Sequence, residues 1–342
     1  MNIRIKDICR FGKKSDIKAG EGNTKGKYMF FTSSIDKDKR IDKFDYDEEG
    51  IIMGTGGNAT LHYYSGKFAV STDCLVLLPN SSYKCKYLYY FFLHNMRVLE
   101  GGFRGAGLKH TSKSYIENIE LTKTHSLLEQ DKIISVLSNI DNTIVLQNKR
   151  LKLLNELTRS LFIEMFGDPI KNEKDWRINK FRDICTVRQG LQIPISKRLL
   201  YKEDNCYEYI TVAYLHGSKE REYIKNPKET VICNKEDILM TRTGNTGMVI
   251  TGVHGVFHNN FFLIDFDRYK FDKCFLVEYL NLELIQLDIM RRAGSSTIPD
   301  LNHDEFYKIN VYVPPLDLQK RFAEYVSSID KSKFASFLHL SA

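Results

Sequence analysis

The sequence predicts an α+β protein made of two tandem α/β units separated by a long coiled-coil helix. Three observations predict this fold: an internal repeat, strand patterns followed by helical patterns in each copy of the repeat, and an unbroken helical pattern between the copies. The length of 342 residues agrees with two domains, because domains commonly contain about 100 to 200 residues. Each unit is long enough to bury a core of its own.

The repeat consists of four short segments that recur in the same order. Collinear recurrence indicates duplication of a structural unit. The separation between copies grows from 176 to 189 residues, which predicts about 13 extra residues in loops of the second copy, between about residues 190 and 235. The matched segments are residues 7–9 with 183–185, 53–58 with 240–245, 66–68 with 255–257, and 130–141 with 319–330.

Each copy begins with strand patterns and ends with helical patterns. Short apolar runs bounded by turn residues predict strands, and longer runs with helical spacing and few breakers predict helices over residues 87–99 and 274–290. Each copy is therefore a mixed α/β unit. The predicted strands are residues 50–53, 67–70, 75–78, 207–212, 248–250 and 261–264.

Between the copies, Leu127–Phe166 contains no glycine or proline, and Gly167, Asp168 and Pro169 then provide a helix stop. This pattern predicts one helix about 60 Å long, at 1.5 Å per residue. Apolar residues recur at heptad spacing, which predicts a coiled-coil seam and a subunit interface. A core helix of one compact domain is the alternative. The seam consists of Ile133, Leu137, Ile140, Ile144, Leu151, Leu154, Leu161 and Met165.

Composition excludes several classes of protein. Mean hydropathy is −0.34, and the longest apolar run, residues 87–93, is far shorter than the roughly 20 residues that span a bilayer. Charges interrupt the apolar positions of the N-terminus, so a signal peptide is not expected and a cytoplasmic location is. The seven cysteines include no CxxC pair, which argues against a disulfide framework and a zinc site. We expect reduced, buried thiols.

Two glycine-rich loops occupy matched places. Residues 54–58 resemble a phosphate-binding loop, but they lack the Gly-Lys-Ser/Thr ending of a P-loop and the GxGxxG spacing of a dinucleotide site. A tight turn is the simpler interpretation, and recurrence at residues 243–247 favours a structural or readout loop shared by both copies. The candidate DNA-binding residues of these loops are Thr55, Asn58, Arg242, Thr243 and Asn245.

The net charge of +7 is mild, but basic residues are concentrated locally. Residues 84–113 contain six lysines and arginines and one acidic residue. Their glycine-rich centre and the matched residues 291–298 carry side chains that can bond phosphates or base edges. A solvated charged face is the alternative interpretation. The candidate DNA-binding residues here are Arg104, Lys109, His110, Lys113, Arg291, Ser295 and Ser296.

Catalytic and metal-binding patterns are poor. There is no HExxH motif, no Cys/His cluster with ligand spacing and no amino-methyltransferase box. Pro299, Asp300, Glu305 and Lys308 resemble the acidic-basic cluster of some nucleases, but their spacing places them on one loop and a helix start. We expect no catalytic site and no metal site on this chain, which argues against a stand-alone nuclease.

The order of these parts, with residues 157–169 at the end of the long helix and residues 313–319 before a second helix start, strongly resembles the DNA-specificity subunit of type I restriction-modification systems. The resemblance covers nearly the whole chain. It implies a first target-recognition domain over residues 1–125, a central conserved helix over 126–169, a second target-recognition domain over 170–315, and the start of a distal conserved helix over 316–342.

The resemblance also implies how such a chain works. Each recognition domain would read one half of a bipartite site in double-stranded DNA, and the helices would hold the halves apart. Methylation subunits would dock on the helical spine, with restriction subunits joining through them. S-adenosylmethionine, ATP and Mg²⁺ would belong to those partner subunits. Self-association through the coiled coil is a further expectation.

One departure from the family pattern concerns the distal helix. A complete repeat would reach about residue 358, whereas the chain ends at Ala342, so we expect a truncated distal helix and incomplete pairing of the two conserved helices. A function from another class stays open at this stage. A coiled-coil protein-interaction scaffold without DNA specificity would have the same helix pattern.

Overall fold

The computed structural model describes residues 3–107, 109–215, 217, 220–295 and 297–341, with side chains to residue 333. The chain divides into two compact units, residues 1–145 and 146–342, and the division falls inside one helix. That helix, α5, spans Leu127–Phe166, the range that the sequence predicted. The four-part domain division above stays a prediction.

Among its described residues, the first unit contains eight strands and four short α-helices before α5. The strands are β1 (Ile3–Arg4), β2 (Cys9–Phe11), β3 (Tyr28–Phe31), β4 (Arg40–Ile41), β5 (Tyr46–Gly54), β6 (Thr60–Val70), β7 (Cys74–Pro79) and β8 (Glu120–Leu121). The helices are α1 (Ile5–Ile8), α2 (Cys85–His94), α3 (Met96–Glu100) and α4 (Lys113–Glu117).

In the part of the second unit that the structure describes, ten strands and five α-helices follow α5. The strands are β9 (Ile178–Lys180), β10 (Cys185–Gln189), β11 (Cys206–Ile210), β12 (Tyr223–Lys225), β13 (Ile232–Cys233), β14 (Ile238–Thr241), β15 (Val249–Ile250), β16 (Gly255–Phe257), β17 (Phe261–Phe266) and β18 (Asn310–Tyr312). The helices are α6 (Val212–Leu215), α7 (Lys273–Leu280), α8 (Glu283–Ala293), α9 (His303–Tyr307) and α10 (Leu316–Ser341).

The main sheet of the first unit has six strands in the order β2-β7-β5-β6-β3-β4, and only β3 and β6 are parallel. Side chains alternate between its faces, as the pleat of a strand requires. Ile51 and Leu77 pack against α2 on one face, while Ile52 and Val76 pack with Phe31 on the other. Both faces of the central strands are therefore buried.

The second unit repeats this order in two four-stranded sheets, β10-β17-β14-β15 and β12-β11-β16-β13. A two-stranded antiparallel ribbon completes each unit, β1 with β8 and β9 with β18. The first match of the repeat is confirmed in detail. The Asp7 carboxylate accepts a hydrogen bond from the backbone N–H of Arg4, and the Asp183 carboxylate accepts one from the backbone N–H of Lys180. The two units are thus copies in structure as well as in sequence.

Strand register corrects one of the four matches. Phe68 pairs with Tyr46, and Gly255 pairs with Cys233. Tyr46 lies eight residues before Gly54, the end of β5, and Cys233 lies eight residues before Thr241, the end of β14. Tyr46 and Cys233 are therefore counterparts. Gly255 is therefore the counterpart of Phe68, and the match of residues 66–68 with 255–257 is wrong by two positions.

The separation of matched residues rises from 176 at Cys185 to 187 at Cys233. This locates most of the extra residues of the second unit where the sequence predicted them.

The helical segments predicted over 87–99 and 274–290 are each broken in two. Asn95 lies between α2 and α3, and Asn281 lies between α7 and α8. Each asparagine amide donates to the carbonyl oxygen four residues earlier, at 2.8 and 2.9 Å. This bond satisfies a carbonyl at the end of the helix and ends it there.

Two further observations concern α10 and the thiols. α10 is helical through Ser341 and, within the described residues, no helix is long and apolar enough to cross a membrane. All seven cysteines are free thiols, and six of them are buried. Burial raises the pKa of the Cys9 and Cys185 thiols to about 12, so these side chains behave as neutral core residues.

Candidate functional site

In the first unit the structure brings the two predicted polar loops together. The loop after β5 bonds to the glycine-rich segment through the Gly57 N–H and the Lys109 carbonyl oxygen at 2.9 Å, and the Thr111 N–H donates to the Thr55 carbonyl oxygen at 3.0 Å. Gly57 has a φ of +83°, a conformation that glycine adopts without strain. Residues separated by about fifty positions in sequence thus form one surface, which we call the first loop surface.

The exposed side chains of the first loop surface are mostly basic. Arg104, Lys109 and His110 are exposed, as is Asn58. Arg104 and His110 exchange two backbone hydrogen bonds of 2.9 Å, so these two residues are held side by side. Thr55 is half-buried, and its hydroxyl donates to the Asp73 carbonyl oxygen at 3.0 Å.

Lys113 lies beside this surface at the start of α4, which the Ser112 hydroxyl caps. Its Nζ atom lies 4.8 Å from the centre of the Phe11 ring and 3.7 Å from the Glu117 carboxylate. Lys113 is therefore exposed but partly engaged within the protein.

The second unit forms an equivalent second loop surface. Thr243 and Asp300 form an isolated antiparallel bridge at the place of Gly56 and His110. The Leu301 N–H donates to the Arg242 carbonyl oxygen at 2.8 Å, as Thr111 does to Thr55. The match between the two glycine-rich loops is therefore confirmed.

Arg242 makes a bidentate ion pair with Asp300. Its Nε donates to Oδ1 at 2.9 Å and its Nη2 donates to Oδ2 at 2.7 Å. The hydrogen bond to Asp300 raises the pKa of the Arg242 guanidinium. The side chain of Arg242 is 21% exposed and that of Asp300 is 48% exposed. The guanidinium is thus held at the surface in one orientation.

The other candidates of the second unit lie on the loop after β14 and at the end of α8. Arg291 pairs with Asp288 at 2.5 Å and its side chain is 74% exposed. Ser295 is exposed and follows Gly294, whose φ of +86° ends α8. Asn245 is exposed on the turn that the Thr241 hydroxyl closes by donating to the Asn245 carbonyl oxygen. Ser296 lies outside the described residues.

The acidic residues of the nuclease-like cluster are held in separate ion pairs. Asp300 bonds Arg242, while Glu305 contacts Lys308 at 2.6 Å and Arg292 at 3.4 Å. Among the described residues, no group of three or more His, Cys, Asp or Glu side chains could hold a metal ion. In the structure, these acidic side chains are each paired with basic side chains.

Sequence reasoning missed several polar residues that strand pairing brings to this surface. Thr241 ends β14 opposite Phe261, and Gln189 ends β10 opposite Phe262. The exposed Gln189 and the segment containing His258 and Asn260 therefore lie near Arg242, whose backbone N–H donates to the Asn260 carbonyl oxygen at 2.7 Å. Burial lowers the pKa of His258. The sequence did contain a signal for Asn260. It lies 187 residues after Asp73, and Arg242 likewise lies 187 residues after Thr55.

The predicted coiled-coil seam has three different environments. Ile133 packs against the first unit's core, while Leu161 and Met165 pack against the second unit's core. The middle is more open, with Ile140 50% and Ile144 41% exposed. The ends of the seam are therefore partly buried against the cores of two different units, so a core helix of one compact domain does not describe α5. The assignment of the seam to a subunit interface stays a prediction. Leu137, Leu151 and Leu154 are half-buried.

Comparison with known proteins gives consistent results. A family model described as the type I restriction modification DNA specificity domain matches residues 1–156 and 173–336. The MjaVIII type I restriction enzyme specificity subunit of Methanocaldococcus jannaschii is 22% identical over 368 aligned residues, which cover 96% of this chain and 85% of that protein. The MjaIX specificity subunit of the same organism is 22% identical, over 74% of this chain and 64% of that protein.

Solved structures share the fold. The crystal structure of a type I restriction-modification S subunit from M. genitalium matches with a TM-score of 0.72 at 18% identity, covering 100% of this chain and 92% of that chain. A chain from a structural study of complex assembly and conformational transition in the type I system matches with a TM-score of 0.53 at 14% identity, with the same coverage.

The duplicated fold and its paired loop surfaces define a protein with two tandem target-recognition domains, which confirms the predicted fold class. The chain belongs to the type I restriction modification DNA specificity family, with one family match in each half. It is a specificity subunit, and no finding supports a scaffold without DNA specificity.

Proposed function

We propose that this chain reads a bipartite site in double-stranded DNA, with one half read by each loop surface. The observation that supports this most strongly is the recurrence of the same two-loop arrangement in both units, each with polar side chains at the surface. A loop conserved in shape but different in side chains suits a role in which each unit reads a different short sequence. Glycines allow these loops to approach the DNA backbone closely.

The charges of the first loop surface favour a nucleic-acid partner. Arg104, Lys109 and His110 are exposed around one turn, and such side chains contact phosphate oxygens or base edges in protein–DNA complexes. Phosphate contacts displace counterions, so affinity would fall steeply as salt rises.

In this proposal the chain has no catalytic site of its own. α5 runs from one unit into the other over 40 residues, and its length sets the gap between the half-sites. Methylation subunits dock on the helical spine, where Ile140 and Ile144 are exposed, and restriction subunits join through them. S-adenosylmethionine, ATP and Mg²⁺ act on those partner subunits, and the assembly works in the cytoplasm. Self-association through the exposed middle of α5 is the competing use of that surface.

The test is a selection of random-sequence DNA duplexes by the full chain assembled with methylation subunits. The proposal expects enrichment of two short motifs at a constant spacing, together with a steep loss of binding between 50 and 200 mM salt, about 10³-fold or more if six or more phosphates are contacted. Binding without sequence preference, or without salt dependence, would contradict it.

A further inference from the structure

One matched pair of positions in the two loop surfaces carries side chains of different chemistry. Arg242 and Asp300 form the ion pair of the second unit, and their counterparts in the first unit are Thr55 and His110. The match is fixed by the backbone, since the Thr55 N–H donates to the Asp73 carbonyl oxygen at 2.8 Å and the Arg242 N–H donates to the Asn260 carbonyl oxygen at 2.7 Å.

The ion pair is not needed to build the loop. In both units, backbone hydrogen bonds connect the glycine-rich loop to the segment before the following short helix, at 3.0 Å from Thr111 to Thr55 and at 2.8 Å from Leu301 to Arg242. The first unit forms this connection with a threonine and a histidine. In the second unit, the Thr246 hydroxyl adds a hydrogen bond of 2.7 Å to the Pro299 carbonyl oxygen. Because the first unit builds the same connection without an ion pair, the shape of the loop does not depend on one, which leaves recognition as a role for the pair.

The geometry of the pair leaves one end of the guanidinium available. Asp300 accepts from Nε and from one N–H of Nη2. The other Nη2 hydrogen and both Nη1 hydrogens then face away from the carboxylate, because the guanidinium is planar and its donors form a fixed fork. Two parallel donors of this kind match guanine, whose O6 and N7 accept side by side in the major groove.

We propose that Arg242 reads a guanine in the half-site of the second unit and that Asp300 is its positioning residue. The inference rests on the proposed function. It adds the identity of one base, guanine, and the unit that reads it, the second. Asp300 restricts the rotation of the long arginine side chain before DNA binds, which lowers the entropy lost on binding. It also cancels the charge of Arg242, so this pair gives sequence preference rather than general attraction to phosphate.

The experiment compares motifs selected from random-sequence duplexes by the full chain assembled with methylation subunits. The variants are Arg242→Ala, Arg242→Lys and Asp300→Asn, with Arg182→Ala, an exposed position of the same unit, as the matched control. We expect the wild-type motif to contain a guanine in one half. Arg242→Ala and Arg242→Lys should reduce the preference for that guanine by about 5- to 150-fold while leaving the other half unchanged. Asp300→Asn should weaken the same position less, and Arg182→Ala should leave the motif unaltered.

Two results would overturn the inference while leaving the proposed function intact. One is a bipartite motif in which the preference for guanine does not depend on Arg242 at any position. The other is a uniform loss of binding to all sequences with an unchanged motif, which would assign the pair a structural role. If Arg242→Ala does not fold, as judged by circular dichroism, the conservative Arg242→Lys and Asp300→Asn variants decide. The absence of any bipartite motif for the wild-type complex would instead contradict the proposed function itself.

Discussion

Gln130 and Gln319 make the same three hydrogen bonds at matched places in the two units. Gln130 accepts from the Lys84 N–H at 2.8 Å and donates to two carbonyl oxygens, of Ser82 and His125, at 3.1 and 2.9 Å. Gln319 accepts from the Asp272 N–H at 2.9 Å and donates to the carbonyl oxygens of Lys270 and Pro314, at 3.0 and 2.8 Å. Each glutamine therefore ties the first turn of a long helix to the start of a shorter one.

Replacement of either glutamine should destabilise its unit. Both side chains are fully buried, and alanine would leave one N–H and two carbonyl groups without their partner. We expect the free energy of unfolding to fall by about 2–4 kcal/mol, since buried polar groups that lose their hydrogen bonds are costly. Urea unfolding followed by circular dichroism measures this. Asn148→Ala, at an exposed position of α5, should change it by less than about 0.5 kcal/mol, and equal effects of the two substitutions would refute the explanation.

The aromatic cluster at the end of α5 should carry much of the second unit's stability. Phe162 is fully buried, and its ring centre lies 5.4 Å from those of Phe275 and Phe322. Phe162→Ala should lower the free energy of unfolding by about 3–5 kcal/mol because it leaves a cavity. Leu157→Ala, at a position that is 51% exposed, is the control and should cost much less. A small loss for Phe162→Ala would show that α5 does not contribute to this core.

Lys109 should contribute to DNA affinity without contributing to specificity. A lysine that contacts phosphate weakens binding to all sequences alike when it is removed, and the slope of log K against log salt becomes shallower by about 1. The measurement is a salt titration of duplex binding by Lys109→Ala. Lys43→Ala is the control, because Lys43 precedes β5 whereas the first loop surface follows it. An unchanged slope for Lys109→Ala would mean that this residue does not contact phosphate.

The pH dependence of stability should reveal Glu278. Burial raises the pKa of this carboxyl group, against the opposing effect of Lys333 and Arg159, and Asp330 raises it further. A carboxyl group whose folded-state pKa is raised binds more protons when folded, so its contribution is most favourable below the ordinary glutamate pKa and is lost as pH rises through the folded pKa.

Glu278→Gln should therefore become more stable relative to the wild type as pH increases from 4 to 7. Thermal unfolding at a series of pH values tests this. If the difference between the two proteins stayed constant over that range, Glu278 would be ionised with an ordinary pKa.

Local signals were the most predictable from sequence. The C-terminal end of α5 is set by the residue next to it, since Gly167 adopts a φ of +81° that terminates the helix. The repeat was visible because matched buried residues such as Gln130 and Gln319 make the same contacts. The breaks at Asn95 and Asn281 were missed because asparagine is tolerated in helical patterns and ends a helix only through its side-chain bond.

Features that depend on tertiary pairing could not be predicted. Arg242 and Asp300 lie 58 residues apart in the chain and meet only because their loops pair. Heptad spacing identified Ile133 and Met165 as apolar seam positions, but spacing does not say whether a helix face meets a domain core or another subunit. Both residues are partly buried against the core of their own unit.

Methylome sequencing of cells that express this chain with methylation subunits is the strongest test of the proposed function, because methylated positions report the site that the assembled complex reads. Two recognition units predict one bipartite motif, with two short specific halves separated by a constant number of unspecified bases. A single continuous motif, or methylation without sequence preference, would contradict the assignment of one half-site to each unit.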